Sequence, residues 1–314
     1  MRTILSFLGL ILLSFLMGCD GGQVANSQKE TPTSGTIHIS IDESFKPVME
    51  EQIRIFELSN PAAHIIATYK SEADCFRDFF NDSLNRMVVV GRGLTSKEEK
   101  YMMHKLGFNP SCNAIASDAV AVLVNAKSKD TLFTMANLKA ALQGKKDLLN
   151  QSKTFVFDGL NATSTVRFIQ DSILKGQAYD TSVVKAAKNS KEVMAYVAQH
   201  PDAVGLVGFS WIGNPEDTAQ VNLLQTVKIA YIQCDICENK PFVKPMQESM
   251  ITKRYPLVRG MYYILKEHFS GLGTGFVSFL KFERGQLIFK RAYLDPVMDF
   301  EVRNVNMNID KTKK

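Results

Sequence analysis

Apolar residues along the chain fall into two alternating periods. Thr36 to Ile41 (TIHISI) is β-branched and alternates, which predicts a strand, and Val48, Ile53 and Phe56 then recur at helical spacing over Val48 to Leu58. Ala63 to Tyr69 predicts a second strand, Ser71 opens a helix running through Phe80, and Met87 to Val90 predicts a third, buried strand. Ser71 with Asp74, and Thr95 with Glu98, have capping-box spacing, the second before a helix ending near Leu106-Gly107. Strands alternating with helices predict a parallel α/β sheet whose ligand crevice lies beyond the strand C-terminal ends.

Ala119 to Val124 (AVAVLV) predicts a strand buried on both faces. Beyond Asn125 the alternation restarts, with a helix over Met135 to Gln143, a strand over Thr154 to Phe157, a helix after Thr163, another over Lys191 to Gln199, and a strand over Ala203 to Phe209. This block predicts a second lobe. Val227 to Gln233 and Tyr255 to Leu265 predict two more strands, and Gly271 to Ala292 one or two helices with apolar faces.

Asp158 to Leu174 (DGLNATSTVRFIQDSIL) carries the first candidate chemistry. A short strand passes through small and hydroxylated residues into an amphipathic helix, so Thr163, Ser164 and Thr165 fall at a helix start. The first N–H groups of a helix have no internal partners and the macrodipole is positive there, so such a start suits an anion; taken alone, a Ser/Thr cluster there is more often an N-cap. Ser44 and Ser71 stand at two further helix starts, in what is expected to be the opposite lobe.

At the N-terminus, Arg2 precedes an apolar run from Ile4 to Met17, short for a membrane span and suited to a secretory leader. It closes in Leu16-Met17-Gly18-Cys19, which resembles a bacterial lipobox, so Cys19 is the expected lipidated first residue of a mature, membrane-anchored chain. Asp20 to Thr36 is rich in Gly, Ser, Gln and Thr and reads as a flexible tether. The net charge of +5, spread without basic blocks, fits a small anionic ligand and gives no footprint for nucleic acid.

With Cys19 set aside, Cys75, Cys112, Cys234 and Cys237 stand in an exported compartment that permits disulfides without specifying their pairing. Cys234-Asp235-Ile236-Cys237 is only half a zinc site and lies in a strand-like segment, so a local disulfide or a reduced structural pair is expected ahead of redox or metal chemistry. The five histidines are scattered singly, and neither a Gly-x-Ser-x-Gly elbow nor a Walker loop occurs. An enzyme is not expected.

Several segments, in order, resemble one family. They are the lipobox, SFKPV at Ser44 to Val48, VVVGRGLTSKE at Val88 to Glu98, SDAVAVLVN at Ser117 to Asn125, NATSTVRF at Asn161 to Phe168, PDAVGLVGFSWI at Pro201 to Ile212 and YPLVRGMYYILK at Tyr255 to Lys266. Together they are similar to the periplasmic phosphate-binding proteins, the PstS-type receptors of phosphate ABC transporters. The resemblance implies an α/β type II periplasmic-binding-protein fold, two lobes joined by two crossing strands with the ligand cleft between them. The expected organisation is a leader over 1–18, a lipidated tether over 19–35, a discontinuous first lobe over 36–118 and 235–314, and a second lobe over 119–234.

The resemblance also implies a ligand set. Ser44 and Phe45 fall on the family's Thr-Phe pair, Thr163, Ser164 and Thr165 on its Ser-Gly-Thr, and Ser71, Glu72 and Ala73 on a second loop whose usual glycines are missing here. Arg92 sits in a loop where related sequences carry Ser-Arg or an Asp. Two departures stand out. The carboxylate that accepts the proton of hydrogen phosphate is replaced by Gly91 or Arg92, and an arginine before the Ser-Gly-Thr loop by Asp158-Gly159. Arg92 is a candidate to supply the missing charge, with Glu72 or Asp74 as acceptor, while Arg167, two residues into its helix, is read as facing outward. The implied function is capture of inorganic phosphate, or a similar oxyanion such as sulfate, for delivery to an ABC transporter permease. The alternative is an envelope lipoprotein of the same fold acting as scavenger or sensor. A monomer without cofactor is expected, anchored in the cell envelope through Cys19.

Overall fold

The computed structural model describes residues 30–145, 153–159 and 163–300; the expected leader, Cys19 and most of the expected tether lie outside them. The end of that tether is not free: Glu30 accepts both Arg86 Nη groups at 2.8 and 2.7 Å and Thr31 bridges to Ser34, which fixes this stretch to the first half. Three parallel strands open the chain, β1 (Gly35–Asp42), β2 (Ala63–Lys70) and β3 (Asn85–Val90), in the order β2-β1-β3. Ile37, Ile39 and Ile41 of β1 are buried against the helices Lys46–Ser59 and Leu272–Lys281. The expected capping box is present at Thr95 and Glu98, and Gly107 ends that helix in the left-handed region at φ 78°.

β4 (Ser111–Asn125) is the spine of the molecule. After it come β5 (Leu132–Phe133), β6 (Thr154–Phe157), β7 (Val184–Ala186), β8 (Ala203–Gly208), β9 (Val227–Ile229), β10 (Tyr231–Gln233), β11 (Phe242–Val243), β12 (Val258–Leu265) and β13 (Asp295–Pro296). Along Ser111–Ala119 β4 pairs with β12, which itself borders β3; along Val120–Asn125 it pairs with β8 and β9 instead. One mixed sheet, β2-β1-β3-β12-β4-β8-β6-β7, thereby runs through both halves. Sequence patterning reached only the apolar second part of β4, because Ser111, Asn113 and their neighbours are partly solvent-facing and break the hydrophobic run.

Two further expectations change in detail. Val227 to Gln233 is two strands, since Ala230 donates its N–H to Val122 O while Tyr231 turns to Thr131 O and starts a separate small sheet, β11-β10-β5. The strand expected from Tyr255 begins at Val258, because Tyr255 is a core residue whose hydroxyl donates to Val120 O at 2.8 Å. Cys234 and Cys237 form a local disulfide, and Cys75, whose thiol burial pushes up, is free and inert in the core. Among the described residues no helix is long and apolar enough to cross a membrane.

The last two helices, Leu272–Lys281 and Glu283–Arg291, close over the first half. Their junction depends on Gly285, where a Cβ would drive into the Phe279 carbonyl and sit 2.8 Å from Leu280 Cα. Gly285 O also accepts the Gln52 side-chain N–H at 2.8 Å. Gly285→Ala is expected to destabilise the protein by about 1–3 kcal/mol through overpacking, read as a lowered urea midpoint with an unchanged m-value.

Candidate functional site

Strand ends from both halves converge on one buried polar cluster. Asp42 is the last residue of β1; its Oδ1 accepts Ser44 N–H at 2.8 Å and its Oδ2 accepts Ser164 N–H at 3.3 Å, at the start of the Ser164–Ser172 helix. Asp158, just past β6, accepts the hydroxyls of Thr163 and Thr165 at 2.9 Å each and of Ser44 at 3.2 Å. Thr163 also caps its helix by accepting Val166 N–H. Ser44 Oγ lies 3.4 Å from Ser164 Oγ and 3.3 Å from Thr165 Oγ1, so three hydroxyls from two halves nearly touch.

Arg259 of β12 is the cation of the cluster and is 3% exposed. Its Nη1 donates to Ser164 Oγ at 2.8 Å and Thr165 Oγ1 at 3.3 Å, while Nε and Nη2 donate to Asp118 Oδ2 of β4 at 3.2 and 2.9 Å. Phe45 stacks beneath it, with its ring centroid 4.9 Å from the guanidinium carbon. Gly208 lets the chains approach, since a Cβ there would lie 2.8 Å from Ser44 O and 2.9 Å from Arg259 Nη2. Ser210 completes the frame, its hydroxyl donating to Ser44 O at 2.8 Å.

Three carboxylates thus face one guanidinium out of water. Burial pushes the carboxyls of Asp42, Asp118 and Asp158 upward, with Arg259 pulling each back down. The arrangement favours a partner that brings protons to the carboxylates and negative charge to Arg259 and the hydroxyls. Removing Arg259 alone strands Asp118 as an unpaired buried charge, a loss of about 3–5 kcal/mol. Among the described residues no group of three or more His, Cys, Asp or Glu is placed to hold a metal ion.

Around this cluster, contacts tie the halves together. Glu72 accepts Arg167 Nη2 at 3.1 Å and Gly91 N–H at 2.9 Å, and Glu43 accepts the Ser190 hydroxyl at 2.8 Å at the start of the helix Ser190–Gln199. Trp211 Nε1 donates to Glu43 O at 3.1 Å. Asp42, Glu43, Asp158 and Thr163 also line a cleft of about 690 Å³ that opens outward from the cluster.

Of the residues singled out from sequence, Ser44, Phe45, Thr163, Ser164 and Thr165 are brought together. Ser71 instead caps its helix by accepting Asp74 N–H, although it lines the outer cleft, and Ala73 lies within the same helix, away from the cluster's hydrogen bonds. Glu72 is spent on Arg167 and Gly91. Arg92 is not brought to the cluster: it forks onto Glu98 at 2.7 and 2.9 Å and stacks over Phe76 at 4.0 Å, because the Glu98 capping carboxylate is its near neighbour. Arg167 does not face outward but reaches the buried Glu72. Sequence reasoning missed Asp42, Asp118, Arg259 and Ser210. Arg259 carried a usable signal, being a charge inside a strand patterned for burial, and Asp118 a weaker one at the edge of such a strand, where each needs a partner.

A sequence profile described as a PBP superfamily domain matches residues 26–282, so the chain belongs to the periplasmic-binding-protein-like superfamily. No curated protein sequence matches it. Among solved structures, it resembles a candidate phosphate ABC transporter substrate-binding protein with bound phosphate from Clostridium perfringens (18% identity, TM-score 0.67, covering 84% of this chain and 100% of that one). It also resembles an ABC-type phosphate transport receptor from Vibrio cholerae (16%, 0.61, 83% and 100%). The CcmR regulatory domain from Synechocystis in complex with 2-PG is similar too (9%, 0.52, 79% and 96%). The fold is therefore the α/β type II arrangement of that superfamily, one found in solute receptors of ABC transporters and in regulatory domains alike.

Burial lifts the Glu43 carboxyl to about 7, against the Ser190 hydrogen bonds that pull it down. A raised carboxyl binds its proton more tightly folded than unfolded, so its contribution is complete below the unfolded value and is lost as pH rises toward 7. Stability is expected to fall between pH 5 and 7 in the native chain, and Glu43→Gln is expected to flatten that slope in urea unfolding measured at stepped pH.

Proposed function

We propose that this superfamily member is a receptor that closes two lobes on an oxyanion, inorganic phosphate first among them, and delivers it to an ABC transporter permease. The observation that carries the reading is Arg259. A buried guanidinium is aimed from one half at the hydroxyls of Ser164 and Thr165 on the other, beside Ser44 and a helix start whose Ser164 N–H is held by the Asp42 carboxylate. Oxyanions suit a charged donor flanked by hydroxyls, because charge-assisted hydrogen bonds are short and strong.

Asp42 and Asp158 supply what the loop around Gly91 lacks. Each is a buried acceptor positioned among the hydroxyls, able to receive the proton of hydrogen phosphate. Sulfate, fully ionised near neutrality, would bring charge without a proton and meet those carboxylates unscreened. The relatives that bind or transport phosphate support the same preference. In this reading the first lobe comprises 36–118 with 235–314 and the second 119–234. The lipobox at Cys19 tethers the mature chain by acyl groups to the cell envelope, as a monomer needing no cofactor.

A second reading, a phosphate or oxyanion sensor, draws support from the kinship to regulatory domains. It uses the same site and differs only in the partner. For the site itself, titration calorimetry of the full chain is expected to show phosphate binding that disappears in the Thr163→Val, Thr165→Val double variant. Absence of binding at millimolar phosphate would contradict the assignment.

A further inference from the structure

The cleft outside the cluster offers room and rim lysines beyond those a bare tetrahedral ion seated at the cluster would use. Its volume is about 690 Å³, inside the range of roughly 300–1,000 Å³ that holds small organic ligands. The floor is the buried set Asp42, Asp158 and Thr163, whereas Lys188 and Lys191 stand exposed at the mouth with Lys46 and Lys70.

The charges at floor and rim are not equivalent. The floor acids are committed inward: Asp42 to the N–H groups of Ser44 and Ser164, Asp158 to three hydroxyls, and Glu43 to Ser190. At the rim Asp74 is paired with Arg77, and Lys70 with Asp78 at 2.6 Å. Among the described residues, Lys188 and Lys191 have no ion-pair partner. Two lysine heads are also held over flat faces, Lys46 at 5.0 Å from the Tyr69 ring and Lys191 at 5.8 Å from that of Trp211. Lys46 is also paired with Glu50 at 3.5 Å, whereas the contact of Lys191 with the ring keeps its ammonium near the opening and leaves its hydrogen-bond donors available.

We infer that the ligand is a small organic oxyanion carrying a second negative group. Its terminal phosphoryl seats at the Ser44, Thr163–Thr165 and Arg259 cluster, its carbon skeleton lies between Tyr69 and Trp211, and a carboxylate or second phosphoryl meets Lys188 and Lys191. This inference rests on the oxyanion reading of the inner cluster and names the ligand class for that site. The exposed lysines supply attraction to the second anionic group that an inorganic ion has no atoms to use.

Calorimetric titration of the full chain with inorganic phosphate, glycerol 3-phosphate and 3-phosphoglycerate tests it. 3-Phosphoglycerate is expected to bind at least about tenfold tighter than phosphate and tighter than glycerol 3-phosphate, which lacks the second anion. Lys188→Met with Lys191→Met, both at exposed positions that leave the core intact, is expected to erase that advantage while leaving phosphate affinity unchanged. Phosphate binding with no gain for 3-phosphoglycerate, equal affinity for glycerol 3-phosphate, or a gain untouched by the double lysine variant would each overturn the inference and leave the oxyanion receptor standing. Failure of all three ligands to bind would overturn both.

Discussion

A single buried guanidinium organises the centre of this protein. Arg259 joins β12 to β4 through Asp118 and reaches across to the start of the Ser164–Ser172 helix, so the same side chain fixes the sheet and addresses the opposite half. Burying a charge is costly unless it is paired, and the pairing here is shared among Asp118, two hydroxyls and the Phe45 ring. The small residue at Gly208 follows from that constraint, since Arg259, Asp118 and Ser44 O crowd the space where a side chain would be.

The surplus of carboxylates gives the cluster its chemical character. Asp42 and Asp158 accept from donors that a helix start and three hydroxyls would otherwise direct at a ligand. Proton-bearing oxyanions resolve this competition in a way fully ionised ones do not, because a protonated carboxyl or a ligand hydroxyl turns repulsion into a hydrogen bond. Outside it, Glu43 on Ser190 and Glu72 on Arg167 repeat the same motif, acids of one half meeting donors of the other. Movement of the halves would therefore break several charge-assisted bonds together, the kind of bistable contact that hinge motion uses.

Much of the architecture was legible in residue patterning. The alternation of β-branched strands and capped helices, the box at Thr95 and Glu98, and the hydroxyl-rich start at Thr163 are local signals, and local physics decides them. Less legible were features set by distant partners. The length of β4 depends on β12 and β8 on either side of Ala119, and the break at Ala230 on hydrogen bonds to Val122 and Thr131. In the cluster, hydroxyls at helix starts could be placed from sequence while its charges could not: Arg92 sits beside its own capping glutamate, and Arg259 lies roughly a hundred residues beyond the helix it meets. A charge inside a buried strand was the available clue, and only three-dimensional pairing says what it faces.

Arg259 with its hydroxyl partners is the seat on which the oxyanion reading depends, and a crystal structure of the chain grown with phosphate addresses it most directly. The predicted result is a tetrahedral ion within hydrogen-bond distance of Arg259, Ser44 and the Thr163–Thr165 helix start, with Asp42 or Asp158 against one of its oxygens. Phosphate found only elsewhere, with Arg259 still closed on Ser164 and Thr165, would contradict it.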